Sequence, residues 1–134
     1  MVAHQLRDRG IRDERVLQAM ADVPREAFLD ADVRASAYRD AALPIAKGQT
    51  MSQPFVVARM TELLQVVPGD RILEIGTGSG YQAAILARLG ARVHSIERHQ
   101  ALAETARDRL AAQGFVGVEI TVGDDSVGAP DGAP

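Results

Sequence analysis

The chain has 134 residues, of which 46% are hydrophobic and 25% are charged, a composition typical of one globular domain. Its 15 Lys and Arg against 18 Asp and Glu give a formal net charge of −3, and this balance argues against a dedicated nucleic-acid-binding protein. Cysteine is absent, which excludes disulfides, thiolate metal sites and cysteine nucleophiles. No apolar run approaches the ~20 residues of a membrane-spanning helix, and no secretory signal is visible. We therefore expect a cytoplasmic protein without a membrane partner.

The first half of the chain has helical periodicity. Asp13 is placed to cap a helix whose apolar residues follow at helical spacing, namely Val16, Leu17, Met20 and Val23. Pro24 suits the first turn of a second short helix over residues 25–30. Residues 41–50 contain Pro44 and Gly48 and predict an irregular, ordered segment. Pro54 then begins a helix that ends at the Pro-Gly-Asp of 68–70, and its predicted apolar side consists of Val57, Met60, Leu63, Leu64 and Val67.

The periodicity changes after residue 70. Short apolar runs over residues 71–75, 92–97 and 118–122 predict three strands, the first of them buried. Helical patterns over residues 81–89 and 99–113 separate these runs and end at Gly90 and Gly114. Alternation of strand and helix is typical of a parallel sheet with right-handed crossovers. The sequence therefore predicts an α/β fold in its second half.

A glycine loop follows the first of these strands. Residues 73–81 are LEIGTGSGY, with Gly76, Gly78 and Gly80 between a strand and a helix. Glycine allows a tight turn and a close approach of a ligand to the backbone, and the helix start offers free N–H groups. One residue, rather than the two of the dinucleotide fingerprint, separates the second and third glycines. This spacing favours an adenosine-bearing ligand without a pyrophosphate over a nicotinamide cofactor.

Three acidic residues accompany the glycine loop at the predicted sheet edge. Glu97 ends the second strand and can accept hydrogen bonds from both ribose hydroxyls, whereas Asp124 follows the third strand, where it can meet an adenine edge. Each has a structural alternative, Glu97 as a strand end near a helix N-terminus and Asp124 as a turn former. Glu74 points toward the same edge, where it either orients the loop or has a purely structural role.

Several segments together resemble the protein-L-isoaspartate (D-aspartate) O-methyltransferase family. These are VPREAF at 23–28, ALPIAKGQTMSQP at 42–54, VARMTELL at 57–64 and the glycine loop. The likeness extends to about residue 124, and its GQTMSQP segment is not shared by generic methyltransferases. It implies a Rossmann-like fold, a parallel sheet with helices on both faces and an N-terminal helical segment, that binds S-adenosylmethionine. The implied reaction methylates the α-carboxyl of isoaspartyl residues in damaged proteins, which would be the partners of this enzyme.

The resemblance also assigns the site. Ser52 matches the family's active-site serine, with Thr50 as a second hydroxyl that can orient the acceptor carboxylate. By the resemblance, the cofactor positions are Gly76, Gly78, Gly80, Glu97 and Asp124. We add Glu74, Thr77 and Ser79, which belong to the same glycine-loop segment. A structural alternative for Ser52 is that its hydroxyl caps the helix starting at Pro54. No metal is expected, because His4, His94 and His99 are irregularly spaced.

The sequence departs from the family in two respects. Asp125 stands where the family has glycine, and family members continue with further strands, the fourth of which lies beside the first. We therefore expect a single incomplete domain over residues 1–134, truncated after its third strand, with its C-terminal half missing. Residues 1–53 form the substrate-side helical segment and 54–134 the cofactor-binding half. An open edge at residues 72–75 predicts self-association, and an inactive fragment is the alternative to the enzyme.

Overall fold

The computed structural model describes residues 1–123, in which a helical N-terminal part precedes a parallel β-sheet. Asp124 and Asp125 lie outside the described residues. The α-helices within them are α1 (Glu14–Asp22), α2 (Pro54–Leu64), α3 (Tyr81–Arg88) and α4 (Gln100–Ala112). The strands are β1 (Leu43–Pro44), β2 (Thr50–Met51), β3 (Arg71–Ile75), β4 (Arg92–Glu97) and β5 (Val118–Val122). Shorter helical turns cover Val2–Arg7, Arg25–Phe28, Arg34–Ser36 and Ala46–Gly48.

The main sheet has the order β3-β4-β5, and both neighbouring pairs are parallel. Ser95 in the central strand stands beside Glu74 on one side and Ile120 on the other. Helix α3 connects β3 to β4, and α4 connects β4 to β5. The alternation of strand and helix predicted from the sequence is therefore confirmed, with element bounds within about one residue of those expected. The carboxyl ends of all three strands meet at one edge.

The core lies between the sheet and the helices that pack on it. Tyr81 at the start of α3 meets Phe28 edge-on, with ring centroids 5.9 Å apart. Leu17 and Met20 of α1 are almost completely buried, as predicted for its apolar side. The predicted cap of α1 is also confirmed, because an Asp13 carboxylate oxygen accepts a 2.9 Å hydrogen bond from the Arg15 backbone N–H. The Phe28–Tyr81 contact fixes the N-terminal segment against α3, the helix that follows the glycine loop.

Two of the predicted N-terminal elements differ in the structure. The helix expected over residues 25–30 is a single 3₁₀ turn, Arg25–Phe28, since Leu29 is extended and fully buried in the core. The segment expected to be irregular contains an antiparallel pair, in which Leu43 of β1 stands opposite Met51 of β2. Burial of Leu29 is a tertiary effect, and the β1–β2 pair joins strands of only two residues each, so local periodicity reveals neither.

The predicted apolar side of the helix after Pro54 is mostly exposed. Helix α2 ends at Leu64 rather than near residue 67, because Gln65 adopts a left-handed conformation with φ +51°. Met60, Leu63 and Leu64 are each more than half exposed, although Val57 is buried. In the described part of the chain, β3 pairs only with β4, so the prediction of a buried strand there was wrong. The exposed side of α2 and the open edge of β3 form one continuous region around the cavity described next.

Candidate functional site

The glycine loop, residues 76–80, turns sharply between β3 and α3. Gly76 has φ +89°, which favours glycine, and its N–H donates a 2.7 Å hydrogen bond to the Ile96 carbonyl. A β-carbon built on Gly76 would meet no atom within 4 Å, so the space above this backbone is open. The loop therefore continues the β3–β4 ladder by one bond and then leaves room at the sheet edge.

Gly80 has a different environment from Gly76, although both precede α3 in one motif. It adopts φ +93°, and a β-carbon there would lie 3.2 Å from the Ala106 side chain and 3.5 Å from that of Leu110. Gly80 is buried and lines neither of the two cavities described below. Its position allows the start of α3 to pack closely on α4.

Glu97 is buried at the end of β4, with only 4% of its surface exposed. One carboxylate oxygen accepts a 2.9 Å hydrogen bond from the Gly78 N–H, and the other accepts one of 2.9 Å from the His99 N–H. Glu97 thus joins the glycine loop to the start of α4. Since each oxygen carries a second lone pair, the carboxylate keeps the capacity to accept further hydrogen bonds.

Behind the glycine loop, three polar side chains form a connected chain. The Ser95 hydroxyl donates a 2.6 Å hydrogen bond to a Glu74 carboxylate oxygen and lies 2.5 Å from the Thr77 hydroxyl. Burial raises the pKa of Glu74 to about 7, an effect that the Ser95 bond opposes and the nearby Glu97 charge increases. Ser95 was not among the predicted site residues. Its signal in the sequence was a serine within a buried apolar strand, two residues before Glu97.

Thr50 of β2 and Ser52 of the segment before α2 lie in the same region. Both residues are exposed, and neither hydroxyl makes a hydrogen bond with another part of the described chain. Gln53, not Ser52, is the N-cap of α2, and it makes no side-chain capping bond. The capping alternative for Ser52 is therefore not realised, and both hydroxyls are available to a bound molecule.

Arg25 holds the backbone of Ser52 in place through a hydrogen bond to its carbonyl group. Its guanidinium is fully buried and donates a 2.9 Å hydrogen bond to the Ser52 carbonyl and one of 2.5 Å to the Ala37 carbonyl. The same group lies 5.1 Å from the centre of the Tyr81 ring. Burial lowers the pKa of Arg25, which pairs with no carboxylate within residues 1–123. Sequence inspection missed this residue, since arginine in a short turn is ordinarily exposed.

Two adjoining cavities bring most of the predicted site residues together. The first has a volume of about 340 Å³, and its walls include Thr50, Ser52, Glu74, Gly76, Thr77, Gly78 and Ser79. The second has a volume of about 280 Å³, and its walls include Gln49, Gly76, Glu97 and His99. Ile75 and Gly76 border both. The Ser52 side and the Glu97 side of the predicted site therefore meet at the end of β3.

The described residues contain neither a candidate metal centre nor a helix that could span a membrane. Within residues 1–123, His, Asp and Glu side chains nowhere form a group of three or more that could hold a metal ion. None of the helices in this range combines the length and apolar character needed to cross a membrane. The polar groups at the two cavities are carboxylates, hydroxyls and backbone N–H groups, which suit an organic ligand with hydrogen-bonding groups.

Comparison with known proteins agrees with this geometry. The family model described as protein-L-isoaspartate(D-aspartate) O-methyltransferase matches residues 1–134. The chain belongs to this O-methyltransferase family. The resemblance expected from the sequence and the α/β methyltransferase fold are thereby confirmed.

Relatives in this O-methyltransferase family match the whole chain. It is 54% identical over 134 residues to the protein-L-isoaspartate O-methyltransferase of Koribacter versatilis, and 57% identical over 134 residues to that of Methanoregula boonei. All of this chain is covered in both alignments, against 60% and 62% of the two relatives. The chain thus spans about three fifths of the length of the curated relatives it matches.

Solved structures show the same fold. A protein-L-isoaspartate O-methyltransferase structure superposes with a TM-score of 0.87 at 30% identity, covering 100% of this chain and 45% of the other. A Plasmodium falciparum structure, named as a beta-aspartate methyltransferase in complex with S-adenosyl-L-homocysteine, superposes with a TM-score of 0.74. It is 24% identical and covers 90% of this chain and 60% of the other, so it supports the fold alone.

Proposed function

We propose that this chain binds S-adenosylmethionine at the glycine loop and methylates the α-carboxyl group of isoaspartyl residues in proteins. The observation that supports this most strongly is the pair of adjoining cavities, because they join the Ser52 segment to the Glu97 carboxylate through Gly76. Membership of the O-methyltransferase family and the names of the relatives support the same reaction. Damaged proteins and peptides carrying isoaspartyl residues are the proposed substrates.

The residues present fit this cofactor. Gly76 leaves open space above its backbone, as a nucleoside that approaches the sheet edge requires. Glu97 and Asp124 are the residues proposed to hold the ribose and the adenine, and Glu74, Thr77, Gly78 and Ser79 the residues proposed to line the rest of the cofactor site. When bound, S-adenosylmethionine supplies an electrophilic methyl group on a sulfonium.

The chain's own contribution is positioning of the acceptor. A carboxylate is ionised near pH 7, so the reaction needs no strong general base. We assign to the free hydroxyls of Ser52 and Thr50 the role of donating hydrogen bonds to the acceptor carboxylate and fixing its direction of approach. Arg25 keeps the Ser52 backbone in register with the start of α3. Orientation of this kind can lower a barrier by several kcal/mol.

Methyl-ester formation on an isoaspartyl peptide tests the proposed reaction. Ser52→Ala should reduce kcat at least tenfold while leaving the affinity for S-adenosylhomocysteine unchanged, because the hydroxyl contacts the acceptor and not the cofactor. Ser36→Ala is the matched control, since Ser36 does not line either cavity. Full activity of Ser52→Ala would remove Ser52 from the mechanism. Absence of ester formation by the wild-type chain, with cofactor still bound, would contradict the proposed activity.

Glu97 substitutions test the proposed ribose contact. Glu97→Ala should weaken S-adenosylhomocysteine binding about tenfold or more, the effect of losing hydrogen bonds to a charged group. Glu97→Gln should weaken binding less, because its amide oxygen retains one acceptor for the Gly78 N–H. Unchanged affinity in both variants would exclude the ribose role of Glu97.

A further inference from the structure

Ser95 occupies a place that neither the sequence motifs nor the proposed mechanism uses. It lies on β4 directly beside Glu74 of β3 and has no exposed surface. Its hydroxyl oxygen is 2.6 Å from a Glu74 carboxylate oxygen and 2.5 Å from the Thr77 hydroxyl oxygen. Thr77 belongs to the glycine loop, and it is itself 4% exposed. Of these three side chains, Ser95 is therefore the one that joins the Glu74 carboxyl group to Thr77 of the glycine loop.

The chemistry of these groups fixes the direction of the hydrogen bonds. An ionised carboxylate can only accept, and a hydroxyl has a single proton to donate. When Glu74 is ionised, the Ser95 proton must point to Glu74, and the Ser95 oxygen accepts the proton of Thr77. When Glu74 is protonated, its own O–H can donate to Ser95, and the Ser95 proton is released for Thr77. The hydrogen bonding of the glycine loop thus depends on the protonation state of Glu74.

Among the described residues, few other groups can change the protonation state of Glu74. Glu97, on the same strand as Ser95, is the charged neighbour that disfavours ionisation of Glu74. From α3, the residues at the cavity wall nearest the glycine loop are Tyr81 and Gln82, and Gln82 donates to Thr61 of α2. His94 pairs with Thr121 of β5 instead. Ser95 is hence the side chain that donates to Glu74 within the described residues.

We propose that Ser95 is a positioning residue that couples the glycine loop to the charge on Glu74, so that cofactor affinity rises as Glu74 ionises. When Glu74 is ionised, Thr77 donates to Ser95 and Ser95 donates to Glu74. The ionised carboxylate also places a negative charge at the wall of the cavity. A sulfonium ligand gains from that charge, whereas its uncharged thioether product gains less. This inference rests on the proposed cofactor site.

The first test measures Glu74 in the protein without ligand. Carbon-13 NMR of the side-chain carboxyl groups, followed from pH 5 to pH 9, should show Glu74 titrating near pH 7. Ser95→Ala removes the donor to the carboxylate and should raise this midpoint by about one pH unit, which lowers the ionised fraction of Glu74 at pH 7 from about one half to about one tenth. Ser95→Thr keeps the hydroxyl and should restore the wild-type midpoint. An unchanged midpoint in Ser95→Ala would overturn the proposal.

The second test measures binding by calorimetry at pH 6 and pH 8. Wild-type affinity for S-adenosylmethionine should increase several-fold between these values, and more than the affinity for S-adenosylhomocysteine. In Ser95→Ala this increase should shift to higher pH. His94→Gln is the control, because His94 lies beside Ser95 on β4 but pairs with Thr121, and this variant should keep the wild-type pH dependence. Binding with a wild-type pH dependence in Ser95→Ala would refute the coupling alone, whereas no binding by the wild type would refute the proposed function and the coupling with it.

Discussion

Alanine substitutions at Gly80 and Gly76 should separate a packing glycine from a site glycine. Both residues have φ near +90°, so a β-carbon at either costs about 1–2 kcal/mol of backbone strain. At Gly80 the added β-carbon also meets the Ala106 side chain at 3.2 Å, and α3 must move away from α4. Overpacking of this kind costs about 1–3 kcal/mol. We expect Gly80→Ala to lose about 2–5 kcal/mol of unfolding free energy, and Gly76→Ala about 1–2 kcal/mol.

Urea unfolding followed by circular dichroism measures both losses, with calorimetric binding of S-adenosylhomocysteine as the second readout. Gly76→Ala should fold but bind the cofactor product poorly, because its β-carbon enters the open space at the junction of the two cavities. Equal loss of stability in the two variants would show that the contact with Ala106 carries no energy. Unchanged cofactor affinity in Gly76→Ala would show that the space above Gly76 is not used.

Three further predictions concern charge, the buried arginine and the open edge. Folding raises the pKa of Glu74 from 4.5 to about 7, so this group lowers stability as pH rises from about 4.5 to about 7, by on the order of 2–3 kcal/mol. The unfolding free energy of Glu74→Gln should therefore exceed that of wild type by an amount that grows as pH rises across this window. A constant difference would contradict the raised pKa of Glu74. Arg25→Met leaves the buried Ala37 carbonyl and the part-buried Ser52 carbonyl without their donor and should cost about 2–4 kcal/mol in urea unfolding; a loss below about 1 kcal/mol would show that these bonds are dispensable. We also propose that the chain self-associates through the open edge of β3, so that sedimentation shows oligomers that Ile75→Lys disperses, and a stable wild-type monomer would refute this.

The second half of the fold was predictable because local signals there agree with tertiary structure. Gly90 and Gly114 follow their helices in positive-φ conformations, and the alternating pattern of residues 118–122 matches a strand with Ile120 buried. The end of α2 was not predictable, because a glutamine at position 65 gives no sign of a left-handed conformation. Nor could periodicity show that the apolar side of α2 stays exposed, since periodicity identifies a face but not its partner.

The candidate site was predictable as a set of positions but not as a network. The glycine pattern follows one predicted strand and the acid at 97 ends the next, and the structure places Gly76 and Glu97 at the same sheet edge. Ser95 and Arg25 escaped notice because their roles depend on burial beneath the loop and beneath Ser52. Arginine and serine have no distinctive pattern when they act through neighbours from distant parts of the chain.

We propose that an adenosine-bearing ligand, either S-adenosylmethionine or its thioether product, binds where β3 meets the glycine loop. Isothermal calorimetry of the wild-type chain with S-adenosylhomocysteine, with NAD as the comparison ligand, tests it most directly. We expect one molecule of S-adenosylhomocysteine bound per chain and no heat from NAD. No response to S-adenosylhomocysteine, whether or not NAD binds, would contradict binding of this cofactor at the glycine loop.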